Sequence, residues 1–89
     1  MRPIFKQTAI IGCGIIGASI VHELRKQNLS SKILAFDNYQ ENIDFLTSQN
    51  LINGQIKLEE VDENFDLVII AIKLSLLNVN FHIRTCPKL

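Results

Sequence analysis

The sequence predicts an α/β fold: a parallel sheet of about four strands with crossover helices, incomplete at its C-terminal end. Three observations predict it. Apolar runs of strand length stand at 8–12, 32–37 and 67–72. Segments of helical period, 15–28 and 40–49, fill the two gaps that follow the first two runs. Three of the four glycines crowd into the first strand-to-helix turn, at Gly12, Gly14 and Gly17. Strands that alternate with helices pair in parallel through right-handed crossovers.

The first run, TAIIG, is short, apolar and closed by glycine, as a buried parallel strand is. After it the period changes. Ile16, Ile20 and Leu24 recur every four residues with Ala18 and Val21 beside them, and Glu23, Arg25, Lys26 and Gln27 fall toward the other side. That is an amphipathic helix with Ile16, Ile20 and Leu24 facing inward. KILAFD is a second strand ending in an acid. Residues 40–49 form a second helix, with Ile43, Leu46 and Phe45 as its inward candidates, and 50–54 break it. QIKL at 55–58 is a weak third strand. Five acids then fall between Glu59 and Asp66 and read as a solvated loop or short helical turn. LVIIAI at 67–72 is a fourth strand, apolar enough for burial on both faces. After Lys73 the remaining sixteen residues, LSLLNVNFHIRTCPKL, give no element. The organisation expected is therefore an N-terminal α/β unit over 1–73 and an unassigned tail over 74–89.

Composition bounds the function. The 89-residue chain is 47% hydrophobic and 20% charged, which suits one small folded domain. Nine acids balance nine bases, which argues against a nucleic-acid binder, since that function needs a basic stripe. The longest apolar run has six residues, against about 20 for a membrane-spanning helix. The N-terminal MRPIFKQ has no signal-peptide pattern. Two cysteines, Cys13 and Cys86, form no disulfide framework, and the expected location is the cytoplasm.

The glycine cluster carries the chemistry. Gly12-x-Gly14-x-x-Gly17 follows a strand and opens a helix, and Asp37 ends the next strand twenty residues after Gly17. These are the parts of the dinucleotide fingerprint of the Rossmann fold. Gly12 serves the sharp turn, Gly14 lets a pyrophosphate approach the backbone, and Gly17 lets the helix pack close to the sheet. The helix start, including Ile15 and Ile16, supplies N–H groups without helical acceptors. No Ser, Thr, Asp or Asn cap precedes Ile15 and no acid occurs before Glu23, which leaves the positive helix end open to an anion. Asp37 is placed to accept from the adenosine ribose. No Lys or Arg lies between Lys32 and Lys57 to hold a 2′-phosphate, which favours NAD over NADP.

Other chemistry-bearing residues read as ordinary ones. Cys13 is a small filler of the loop, His22 a solvated helix residue, and Tyr39 a surface or packing residue rather than an adenine contact. His82 and Cys86 are too few to make a metal site. No metal ligand set and no catalytic residue are assigned.

The stretch IIGCGIIGASI followed by SKILAFD resembles the opening of the prephenate/arogenate dehydrogenase family, and the run from Glu63 to Ile72 is similar to that family's fourth strand and its approach. The resemblance spans residues 7–73. It implies oxidative decarboxylation of prephenate or arogenate in tyrosine biosynthesis, with Gly12, Gly14, Ile15, Ile16, Gly17 and Asp37 binding NAD(P). It also implies a dimer built by a later helical domain. The chain departs from the family at Lys73, where a proline is usual. The family's catalytic histidine and substrate arginine come from later segments, so His82 and Arg84 are given no role. The resulting expectation is a truncated, catalytically incomplete dehydrogenase. The alternatives are a stand-alone dinucleotide-binding or regulatory module, another NAD-dependent enzyme such as a hydroxyacid dehydrogenase, or an interaction fragment without a ligand.

Overall fold

A computed structural model describes residues 3–72 and, for the backbone, 73 and 79–85. Five strands form one sheet: β1 Phe5–Ile11, β2 Ser30–Phe36, β3 Gly54–Gln55, β4 Leu67–Lys73 and β5 Val79–Thr85. Two helices, α1 Ile15–Lys26 and α2 Gln40–Ser48, connect β1 to β2 and β2 to β3. The strand order is β3-β2-β1-β4-β5. The first four strands are parallel, with Ala9 opposite both Leu34 and Val68, as the partial Rossmann reading requires. The chain moves outward from β1 to β3 and then crosses back to β4 on the far side of β1, so the strand order reverses between β1 and β4.

Handedness explains the layers. Both right-handed crossovers toward β3 put their helices on one face. There Val21 and Leu24 of α1 and Ile43 and Leu46 of α2 pack on Ile10, Ile33, Ala35, Leu67 and Ile69. The return connection runs over the opposite face, where Ile56 and Phe65 pack on Ala9. That connection holds one 3-10 turn at Leu58–Glu60.

Several inward assignments shift. Ile16 is exposed and Ile20 only partly buried, because Gly17, Val21 and Leu24 form the face of α1 that meets the sheet. Phe45 is likewise exposed while Ile43 and Leu46 are buried. Among the described side chains of β4, Leu67, Ile69 and Ala71 are buried, and Val68, Ile70 and Ile72 are partly exposed: both helices lie on one side of the sheet. β3 is two residues long rather than four, since the chain turns after Ile56 into the 3-10 helix at Leu58–Glu60.

Both helices stop in the same way. Asn28 and Asn50 take positive φ, 53° and 58°. The next residues, Leu29 and Leu51, return their N–H groups to Leu24 O and Leu46 O at 2.9 and 3.0 Å. This is the Schellman termination, written twice as Leu-x-x-Gln-Asn-Leu at 24–29 and 46–51.

β5, in the segment given no element by the sequence reading, pairs antiparallel with β4, from Leu67 opposite Thr85 to Lys73 opposite Val79. The signal for it is the strict alternation of Val79, Phe81 and Ile83 with Asn80, His82 and Arg84. Cys86, half of the rejected metal pair, lies outside the described residues. Among the described residues no helix is long and apolar enough to cross a membrane.

Candidate functional site

The C-terminal ends of β1, β2 and β4 converge on the glycine loop. Gly12 leaves β1 with φ of +94°, a conformation that L side chains rarely adopt. Its N–H still donates to Phe36 O at 2.8 Å, so the turn begins while the chain remains tied to β2. A Cβ there would lie 2.2 Å from Ala71 O on β4. Gly17 is bounded by Gly12 itself: a Cβ on Gly17 would come within 2.0 Å of Gly12 O. These two glycines are demanded by the protein's own backbone.

Gly14 is different. A Cβ there would meet nothing within 4 Å, and its φ of −71° suits any residue. The space before it is open. Gly14 is also the N-cap of α1, with no side-chain cap, no acid in the first turn and Arg25 and Lys26 in the last. The first helical bond runs from Ala18 N–H to Gly14 O at 2.8 Å, so the N–H groups of Ile15, Ile16 and Gly17 have no helical acceptor. The side chain of Ile15 is 88% exposed beside them. An anion thus has an open approach, a partial positive charge and backbone donors. α2, which starts at the same edge of the sheet, carries Glu41 in its first turn.

Asp37 is joined to the loop. Its Oδ2 accepts from Cys13 N–H at 2.5 Å and from the Asn42 side-chain amide at 3.2 Å. Its Oδ1 accepts from Tyr39 N–H at 2.8 Å. The carboxylate therefore links the glycine loop, the turn after β2 and the first turn of α2. Asp37 stands at the spacing of the fingerprint, whereas Asn42 belongs to no such pattern. A polar residue in the first helical turn after a strand-end acid is the signal that was available. Tyr39 is exposed at the N-cap of α2.

The Cys13 side chain is buried, and its thiol donates to Phe36 O at 3.6 Å. Burial, with the Asp37 carboxylate beside it, pushes the thiol pKa up to about 12, the opposite of an activated nucleophile. This agrees with the filler reading. His22 is exposed on α1, in the helical turn before Arg25 and away from the loop. Among the described residues, no cluster of three or more His, Cys, Asp or Glu could hold a metal ion.

A family model described as "NADP oxidoreductase coenzyme F420-dependent" matches residues 7–79. The match takes in β1 from Gln7 onward, the glycine loop, both helices, Asp37 and β4, and it reaches the first residue of β5. A comparison with curated proteins finds no match.

Proposed function

The chain belongs to this family of NAD(P)-linked oxidoreductases, and on that premise we propose that it is the dinucleotide-holding part of such an enzyme, with NAD as the preferred cofactor. The observation that carries the proposal is the contrast among the three glycines. Two are fixed by protein contacts, and the third, Gly14, faces open space at an uncapped, acid-free helix start.

In this reading the N–H groups of Ile15, Ile16 and Gly17 receive the pyrophosphate, and Gly14 leaves it room. Gly12 and Gly17 hold α1 against β1 and β4 so that those N–H groups point into one place. Asp37 accepts from the adenosine ribose. Its negative charge disfavours a 2′-phosphate, and the stretch between Lys32 and Lys57 contains no cation to offset it. The family's description names NADP; Asp37 is the residue that argues for NAD in this chain. The bound nicotinamide would supply hydride exchange. No described side chain is assigned as an acid or base for that chemistry, so catalysis by the chain is not proposed.

The narrower substrate, prephenate or arogenate, rests on the likeness of residues 10–20 and 33–37 to that family. A hydroxyacid dehydrogenase and a nucleotide-sensing module are the competing assignments. Calorimetric titration of the 89-residue chain with NAD and NADP tests the cofactor. NAD binding at least tenfold tighter than NADP is expected. Equal or tighter NADP binding overturns the preference, and no heat with either at millimolar concentration overturns the dinucleotide reading.

A further inference from the structure

We propose that Asn42 is a positioning residue for the nucleotide: it holds the Asp37 carboxylate so that Oδ2 stays on the glycine loop while one acceptor site on Oδ1 remains for a ribose hydroxyl. The inference rests on the dinucleotide reading above and adds to it a residue and a hydrogen-bond count.

A carboxylate offers about four acceptor positions. At Asp37 the described residues occupy three. Cys13 N–H and the Asn42 amide take Oδ2, and Tyr39 N–H takes Oδ1. The position left over lies on Oδ1. Asp37 therefore serves the ribose with one hydrogen bond rather than two, and its other oxygen belongs to the loop that carries the pyrophosphate donors.

Two of the three donors are backbone groups of turns. Asn42 supplies the one anchored on a helix: it is the third residue of α2, and its own N–H is bonded to Tyr39 O at 3.1 Å. Its amide thus fixes the plane of the carboxylate relative to α2. The donor is also neutral. A lysine or arginine in its place would hold the same oxygen but cancel the charge that turns away a 2′-phosphate. Asn42 orients Asp37 without discharging it.

The test compares Asn42→Ala and Asn42→Asp with the unaltered 89-residue chain, by amide NMR without ligand and by titration with NAD, NADP and 2′-deoxyadenosine-NAD. Asn42→Asp is nearly isosteric and, as a first-turn acid, favours the helix, but it replaces the amide donor with a second carboxylate beside Asp37, so a role confined to α2 predicts no movement of the Cys13 amide resonance. Positioning predicts that both variants move the Cys13 amide resonance, although Asn42 does not bond to Cys13. It predicts weaker NAD binding by about threefold to tenfold, the size of one lost hydrogen bond, and a smaller change for the 2′-deoxy analogue. An unmoved Cys13 resonance with unchanged NAD affinity overturns the inference and leaves the dinucleotide reading intact. An equal loss for NAD and its 2′-deoxy analogue also overturns it. Failure of the unaltered chain to bind NAD removes the dinucleotide reading, and this inference with it.

Discussion

Gly17 rests on the carbonyl of Gly12, with only 2.0 Å between the place a Cβ would occupy and that oxygen. The first turn of α1 is thus seated on the turn that ends β1, and Gly12 is in turn seated on β4 through Ala71 O. Backbone cannot withdraw as the tip of a side chain can. Gly12→Ala and Gly17→Ala should each destabilise the chain by roughly 3 kcal/mol, through strain and overpacking. Gly14→Ala has the space and the φ it needs, and should change stability by less than about 1 kcal/mol while weakening NAD binding severely. Urea unfolding and NAD titration on the three variants check this. Equal destabilisation by all three would sink the division of labour among the glycines.

That seating also explains what could be read in the sequence. α1 has two apolar stripes, Ile16-Ile20-Leu24 and Gly17-Val21-Leu24. Hydrophobicity favours the first, and close approach selects the second, because the residue nearest the sheet must be the smallest. Asp37 was legible by spacing. Its bond to Cys13 N–H was not, because that depends on how Gly12 bends the loop toward β2. β3 is shorter than the 55–58 pattern, because two residues of real pairing and four residues of weak pattern look alike in sequence. β5 carried a clear period of two that is easy to pass over in a segment without turn signals.

Cys13 makes stability pH-dependent at the alkaline end. Its folded pKa, about 12, lies above the value near 9 expected when unfolded. Below pH 9 both states hold the proton and the contribution is constant. Between pH 9 and 12 the unfolded state loses it first, so stability falls as pH rises through that window. In a Cys86→Ser background, Cys13→Ala should reduce the alkaline slope, and Cys13 should react with a thiol reagent at pH 8 far more slowly folded than in guanidinium. Rapid labelling of the folded chain would contradict the buried, proton-holding thiol.

Arg25 acts as a strut rather than as a phosphate ligand. Its Nε donates to Leu51 O at 2.9 Å, and its guanidinium also donates to Asn53 Oδ1. The same Asn53 oxygen accepts Ile33 N–H at 2.8 Å. The end of α1, the edge of β2 and the segment after α2 are joined through these groups. Arg25→Ala should cost about 1–3 kcal/mol. Arg25→Lys should recover little, since an ammonium cannot reproduce the fork. NAD affinity should stay within about twofold, because the loop lies at the opposite end of α1. A selective loss of NAD binding with unchanged stability would contradict the strut.

The hydroxyls of Thr8 and Ser30 are buried between β1 and β2, 2.7 Å apart. Ser30 Oγ donates its one hydrogen to Lys32 O at 2.9 Å, so Thr8 must be the donor between the two. The pair is therefore unequal. Thr8→Val leaves the Ser30 proton satisfied and should cost about 1 kcal/mol. Ser30→Ala strands the buried Thr8 hydroxyl and should cost more, about 2 kcal/mol. Once Ser30 is gone, removing the stranded hydroxyl should relieve part of that loss, so the double variant should be more stable than the sum of the single ones predicts. Unfolding midpoints for the four chains measure the coupling. Additive losses, or a larger cost for Thr8→Val than for Ser30→Ala, would reverse the assigned direction of the bond.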